Sequence, residues 1–193
     1  MVRNYDPDRP VPAEVTDRLL DYAIRAPSAG FSQGWGFLVL TEPGDRARFW
    51  AATVPPHTGP PDSWLTGMSR APLIIVPHSN REVYLDRYAA PDKGWTDRDE
   101  ARWPVPYWHI DAGFASLLML LGAVDAGLGA CFFGIPPLAL TTYRAAFGVP
   151  EEYLPIGAIT VGYPAPDRRS PSLRRGRRGV DEVVHRGLWG ATR

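Results

Sequence analysis

The sequence predicts an α+β fold in a single domain that spans residues 1–193. Helical patterns alternate along the chain with about four short apolar runs, each with the length and composition of a strand. Apolar residues make up 45% of the chain and charged residues 22%, which is a balance typical of folded globular domains. A chain of this length can also bury a substantial core as one unit.

In the first half of the chain, the spacing of apolar residues predicts one long helix, and proline residues mark its two ends. Pro12 suits the first turn of this helix, predicted at 12–25, and Val15 and Leu19 recur at helical spacing. Pro27 disfavours helical backbone at the preceding residue and therefore ends the helix. The other predicted elements are a strand at 37–40, a helix near 46–52, a loop at 54–62, a short helix at 64–69 and a buried strand at 73–76.

The second half is built around a helix predicted at 107–126, which is apolar nearly all round. Such a helix must be buried on most of its faces. Gly127 suits the left-handed conformation that ends a helix. A strand at 130–133, a helix at 136–147 and a last core strand at 156–162 complete the predicted elements.

Residues 84–108 carry six aromatic side chains among prolines and charged residues. Long segments of this kind in compact domains are commonly lids or binding surfaces. Simple packing of a long loop would explain the aromatic residues equally well. We interpret the stretch as an aromatic lid inserted into the domain.

Charge and cysteine content exclude several classes of protein. The net charge is zero, so no overall field favours binding to nucleic acid or to an anionic membrane. Cys131 is the only cysteine, which rules out an internal disulfide and suits a reducing compartment. No signal segment opens the chain, and the apolar stretch 110–126 is too short and too polar to span a bilayer. We predict a cytoplasmic protein.

No metal site and no nucleophilic dyad is predicted. The four histidines lack zinc-type spacing among themselves and with Cys131. His109 and Asp111 are interpreted as residues satisfied in the core, not as a catalytic pair. A Gly-x-Gly-x-x-Gly nucleotide loop is also missing from the sequence.

Residues 26–35 read Ala-Pro-Ser-Ala-Gly-Phe-Ser-Gln-Gly-Trp and join the first helix to the first strand. Their small and polar residues expose hydroxyl groups, backbone N–H groups and one carboxamide at the mouth of the sheet. Such a junction can form hydrogen bonds with the edge of a flat heteroaromatic ring. An ordinary helix-to-strand connection built from turn residues is the alternative.

This segment resembles the flavin-binding loop of the nitroreductase family, Ala-Pro-Ser-(Ser/Ala)-x-Asn-x-Gln-Pro-Trp. Other parts resemble the family in the same order: the N-terminal Arg3-x-Tyr5, the central helix, the Gly-Leu-Gly-Ala-Cys-Phe-Phe-Gly strand and the basic tail. The resemblance implies a three-layer α/β/α sandwich with a mostly antiparallel or mixed sheet. It also implies an intertwined homodimer, with the central helix at the interface and residues 168–193 as a C-terminal arm that wraps the partner.

The resemblance further implies FMN as cofactor, NADH or NADPH as electron donor and a small aromatic, quinone or nitro acceptor. In this family the flavin carries the redox chemistry, so no side chain is assigned as catalytic. Arg175 and Arg177 fall on the family's phosphate-binding positions, and Arg3 and Gln33 would stabilise negative charge on the ring. The full set of implied cofactor-binding residues is Arg3, Ser28, Ala29, Gln33, Phe133, Gly134, Arg175 and Arg177.

The sequence departs from the family pattern at several positions. Phe31 replaces the loop asparagine, Gly34 replaces the loop proline, and residues 64–69 lack the family's basic or amide contacts. The first arginine of the N-terminal motif would precede Met1, so either the true start lies upstream or that contact is made otherwise. Two alternative activities stay open, a flavin-cleaving benzimidazole synthase-like enzyme and a deiodinase-like enzyme. A protein that binds FMN without turnover is the alternative of another class.

Overall fold

A single antiparallel sheet forms the centre of the structure, a computed structural model that describes residues 1–54, 62–167 and 170–191. Every strand pairing in these residues is antiparallel. The strands are β1 Trp35–Leu40, β2 Leu73–Asn80, β3 Gly129–Phe133, β4 Tyr153–Pro155 and β5 Ala158–Gly162. Their order is β1-β2-β5-β3, and β4 pairs with the last residues of β2.

Helices cover both faces of this sheet. The α-helices of the described residues are α1 Ala13–Ile24, α2 Pro43–Thr53, α3 Ser63–Met68, α4 Arg81–Ala89, α5 Tyr107–Asp125, α6 Leu140–Phe147 and α7 Val180–Val183. Short 3-10 turns occur at Ala29–Phe31, Glu100–Arg102, Pro137–Ala139 and Pro171–Arg175. The predicted helices at 12–25, 107–126 and 136–147 are therefore confirmed to within a few residues.

Strand β2 organises the core because all eight of its residues are buried. Successive side chains of a strand point to opposite faces. Leu73 and Ile75 pack with α1 and α5 on one face, whereas Ile74 and Val76 pack with α2 and α6 on the other. The two clusters make the molecule a three-layer sandwich, as predicted.

Strand β2 is longer than the predicted strand at 73–76, because its second half is polar. Pro77 to Asn80 are buried as completely as the apolar residues before them. Each polar side chain there has a hydrogen-bond partner, for example His109 for Ser79 and the N-terminus of α4 for Asn80. An apolar run therefore marks only the first half of the strand.

The predicted lid at 84–108 is only partly a loop, because residues 84–89 belong to α4. Asn80 caps this helix by accepting hydrogen bonds from the N–H groups of Glu82 and Val83. The aromatic rings of the stretch pack around Trp103, whose ring centroid lies 4.4 Å from that of Tyr88. Residues 55–61 of the predicted loop at 54–62, and residues 168–169 and 192–193 of the arm, lie outside the described residues.

Helix α5 is buried on its inner face only. Ala115 and Met119 are fully buried against the sheet and α1. On the outer face, four apolar residues are exposed: Phe114, Leu117, Leu121 and Val124. Within the described residues, α5 is the one helix long and apolar enough to cross a membrane, a test that the core helix of a soluble protein also passes.

The buried His78 should make the stability of the folded protein sensitive to acid. Its Nε2 lies 3.0 Å from the Tyr143 hydroxyl and its Nδ1 3.3 Å from the Gly36 carbonyl oxygen, an arrangement that suits the neutral ring. Burial lowers the pKa of His78 below its ordinary value of 6.5. The unfolded state therefore binds the proton more readily, and the free energy of unfolding should fall as the pH drops below 6.5.

Urea denaturation between pH 7.5 and pH 5.5 measures this effect. His78→Gln should flatten the decline, because glutamine does not take up the proton. An equal slope in His78→Gln and the parent protein would show that another group controls the acid sensitivity.

Candidate functional site

The strand order places the predicted site residues at two opposite edges of the sheet. Residues 27–34, which we call the β1 loop, precede β1 at one edge, whereas Phe133 and Gly134 end β3 at the other. Strands β2 and β5 lie between them, so the edges are about 14 Å apart at the usual strand spacing. Ser28, Ala29 and Gln33 are therefore not brought together with Phe133 and Gly134 by the sheet of one chain.

The β1 loop is tightly curled. Gly30, Phe31 and Gln33 all have left-handed backbone, with φ of 61°, 55° and 55°. The Ser28 hydroxyl oxygen accepts a hydrogen bond from the Gln33 N–H at 3.1 Å, and the Ser32 hydroxyl donates to the Ala29 carbonyl. The Gln33 side chain is exposed, and the Phe31 residue is 75% exposed. The loop therefore presents a carboxamide and a large aromatic ring at its outer surface.

Helices α4 and α5 hold this loop from behind. Asp111 Oδ2 accepts hydrogen bonds from the Ala29 N–H and from the Tyr84 hydroxyl, both at 2.8 Å. Arg87 Nε donates to the Gly30 carbonyl at 2.9 Å. A Cβ on Gly30 would lie 2.6 Å from the Tyr88 ring, so the position requires glycine. Sequence reasoning placed Asp111 in the core, which is confirmed, but missed its contact with the loop.

At the opposite edge, residues 1–5 run along β3 and place Arg3 there. The Val2 N–H donates to the Ala130 carbonyl at 3.1 Å, and the Tyr5 side chain is fully buried against Thr160. Gly67 in α3 permits this course, because a Cβ at this position would meet the Arg3 carbonyl oxygen. Arg3 Nε lies 3.5 Å from Asp167 Oδ2, and the Arg3 side chain is 21% exposed.

Aromatic rings surround the end of β3. The Trp50 ring stacks on the Phe133 ring with centroids 5.6 Å apart, and the Trp64 ring meets Phe133 edge-on at 5.5 Å. Trp50 Nε1 is buried and has no hydrogen-bond partner among the described residues. The sequence did not identify Trp50 or Trp64 as site residues, because aromatic residues at irregular spacing are not distinguishable from ordinary core residues.

The turn after β3 contains a backbone N–H group, that of Gly134, that is free to bind a ligand. A Cβ added at Gly134 would meet nothing within 4 Å. In the part of the chain that the structure describes, the Gly134 N–H donates no hydrogen bond. This edge therefore carries flat rings and an unpaired N–H donor at the end of β3, and Arg3 lies along the first half of the same strand. Groups of these kinds suit a planar heteroaromatic ring with carbonyl oxygens.

The two predicted phosphate-binding arginines lie in the C-terminal arm. Arg175 ends a 3-10 turn, Gly176 has φ of 68°, and Arg177 follows it. Both arginine side chains are exposed. Apolar residues of the same arm are exposed as well, Leu188 by 77% and Trp189 by 90%. The arm of a single chain thus leaves its apolar side chains uncovered.

Comparison with known proteins identifies relatives along most of the chain. The sequence model of the nitroreductase family matches residues 1–163. A protein of Methanothermobacter thermautotrophicus, named as a candidate NADH dehydrogenase/NAD(P)H nitroreductase, is 31% identical over 166 residues, which cover 85% of this chain and 72% of the relative. A protein of the same name from Archaeoglobus fulgidus is 24% identical over 194 residues, or 94% and 90% of the two chains.

Solved structures agree with these relatives on the fold. A nitroreductase of B. subtilis has a TM-score of 0.71 at 19% identity, covering 99% of this chain and 72% of that chain. A nitroreductase family protein of Clostridium difficile has a TM-score of 0.67 at 22% identity, covering 97% and 93%. At such low identity these two similarities establish the fold alone.

Proposed function

Because the chain belongs to the nitroreductase family, we propose that it is an FMN-dependent oxidoreductase that takes electrons from NADH or NADPH. Its acceptor would be a small aromatic, quinone or nitro compound. The observation that carries the proposal is the β3 edge, where the Gly134 N–H has no partner among the described residues and the Phe133 and Trp64 rings meet. The names of the relatives support an NAD(P)H oxidoreductase.

The residues of the β3 edge suit the flavin ring. Carbonyl oxygens of the ring would accept hydrogen bonds from N–H donors such as that of Gly134, and Trp64 and Phe133 offer apolar surface. Arg3 would offset negative charge that develops on the ring. When bound, FMN supplies the redox chemistry by accepting a hydride from the nicotinamide and passing electrons to the acceptor. The Gly134 N–H is preorganised because it follows directly on the β3–β5 ladder, which fixes the backbone before it.

A second copy of the chain would complete the site. The β1 loop carries Ser28 and Gln33 but lies at the other edge of the sheet, so we propose that it reaches the β3 edge of a partner subunit. The exposed apolar stripe on α5 would form the centre of this homodimer, and the arm would wrap the partner. A row of exposed apolar residues along one helix face is a feature of interaction surfaces.

Arg175 and Arg177 would bind the FMN phosphate. A guanidinium group grips a phosphate with two parallel hydrogen bonds, which gives both charge and orientation. Both side chains are exposed in the single chain and are therefore accessible to an anion.

Purified protein should bind one FMN per subunit, and the flavin absorbance should bleach when NADH or NADPH is added anaerobically. Absorbance titration and stopped-flow spectroscopy measure the two steps. A protein that fails to bind flavin would refute the proposal. Binding without bleaching would instead favour the FMN-binding protein without turnover, and loss of the flavin to a benzimidazole product would favour the flavin-cleaving activity.

Replacing the arm arginines should separate phosphate binding from ring binding. Arg175→Ala and Arg177→Ala should each weaken FMN binding about tenfold or more, because a charge-assisted bond is lost. Riboflavin, which lacks the phosphate, should bind equally to both variants and to the parent. Arg174→Ala is the matched control in the same arm. Equal losses of FMN and riboflavin affinity would place the phosphate elsewhere.

The proposed dimer should withstand dilution to micromolar concentration, with an apolar interface above about 2,000 Å². Light scattering should give twice the chain mass of 21.3 kDa. Leu121→Asp should produce monomers, because Leu121 is 57% exposed in one chain and would be covered in the dimer. Leu138→Asp, at a residue 96% exposed outside the stripe, should leave the dimer intact. A parent protein that is monomeric would contradict the arrangement.

A further inference from the structure

We propose that Asp111 is a positioning residue that fixes the backbone of the β1 loop for cofactor binding; this role rests on the function proposed above. Asp111 is 3% exposed and lies on the largely apolar inner face of α5. A carboxylate at such a site needs hydrogen bonds to offset its loss of water. The hydrogen-bond donors to Asp111 belong to the β1 loop and to α4.

Both partners bind the same oxygen of Asp111. The Ala29 N–H and the Tyr84 hydroxyl each lie 2.8 Å from Oδ2. Burial raises the pKa of Tyr84, and the bond to Asp111 acts in the same direction, so the tyrosine hydroxyl stays protonated and donates. One carboxylate thus joins the loop, α4 and α5.

The loop needs such an anchor because its backbone is strained. Phe31 and Gln33 have φ of 55°, a conformation that side chains other than glycine seldom adopt. Strain of this kind persists only where surrounding contacts hold it in place. Asp111 holds the residue before Gly30, and Arg87 holds the Gly30 carbonyl itself at 2.9 Å.

The anchored conformation determines what the loop presents. With Ala29 fixed, the Ser28 hydroxyl oxygen accepts the Gln33 N–H, which closes the loop and leaves the Gln33 carboxamide exposed. Ala29 itself has no N–H left for a ligand. Asp111 therefore acts through Ala29 and does not touch the cofactor.

The position of Asp111 also connects the loop with the proposed dimer contact. Phe114, the first exposed residue of the apolar stripe, follows Asp111 by one helical turn on α5. Asp111 therefore lies beside the proposed dimer contact while it holds the Ala29 N–H.

Hydrogen exchange of the Ala29 amide in the ligand-free protein tests the anchor directly. Asp111→Ala should raise the exchange rate of this amide about tenfold, since a hydrogen bond to a charged group is lost. Asp111→Asn keeps one acceptor oxygen and should recover part of the protection. Asp17→Asn, at an exposed residue of α1, is the control and should change nothing.

Flavin titration of the same variants supplies the second measurement. Asp111→Ala should weaken FMN and riboflavin binding by the same factor, about tenfold, because the loop contacts the ring and not the phosphate. If Asp111→Ala fails to fold, Asp111→Asn carries both measurements and should show intermediate losses.

The outcomes separate the inference from the proposed function. Unchanged Ala29 exchange in the Asp111 variants, or unchanged flavin affinity where the parent binds FMN, would overturn the positioning role. Faster Ala29 exchange in a protein whose parent form binds no FMN would confirm the anchor as a structural contact and refute the proposed function instead.

Discussion

The antiparallel strand order β1-β2-β5-β3 is the constraint on which the rest of the structure depends. Strand β2 lies inside the sheet, and its alternating side chains bind one helical layer on each face. The same order places the β1 loop at one edge and the end of β3 at the other. On the proposed function, a site that needs both must be shared by two chains, and the exposed stripe on α5 is the surface that would join them.

Hydrogen bonds of buried polar groups fix the relative positions of helices, strands and loops more closely than apolar packing does. The buried Asp111 accepts hydrogen bonds from the buried Tyr84 hydroxyl and from the partly buried Ala29 N–H, and the buried His78 pairs with Tyr143. An unpaired group at such a site would be costly, so each pair fixes the relative position of the elements that contribute it. In this way a three-residue turn on the surface is held by a helix in the core.

Periodicity and turn residues predicted the long helices and the apolar strands, because both depend on local sequence. They could not predict the polar half of β2, where His78 and Ser79 are buried by distant partners. The contact between Ala29 and Asp111 joins residues 82 apart in the chain, beyond the range of any local pattern. The motif located the loop and the β3 turn, but only the topology revealed that they lie at opposite edges. Trp50 and Trp64 were missed because isolated aromatic residues carry no local signal of a site.

Mixed dimers test most directly whether the site is shared between chains. Gly134→Asp would block the β3 edge without disturbing the fold, because a Cβ at this position meets nothing within 4 Å. Gln33→Asp would remove the carboxamide of the loop, and aspartate tolerates the left-handed backbone of this position. Each variant alone should bind no FMN. Co-expression should regain about a quarter of the sites, because about half of the dimers are mixed and one of the two sites in each mixed dimer pairs an intact loop with an intact β3 edge. Mixed dimers without any recovered FMN binding would show that each site lies within one chain and would contradict the account.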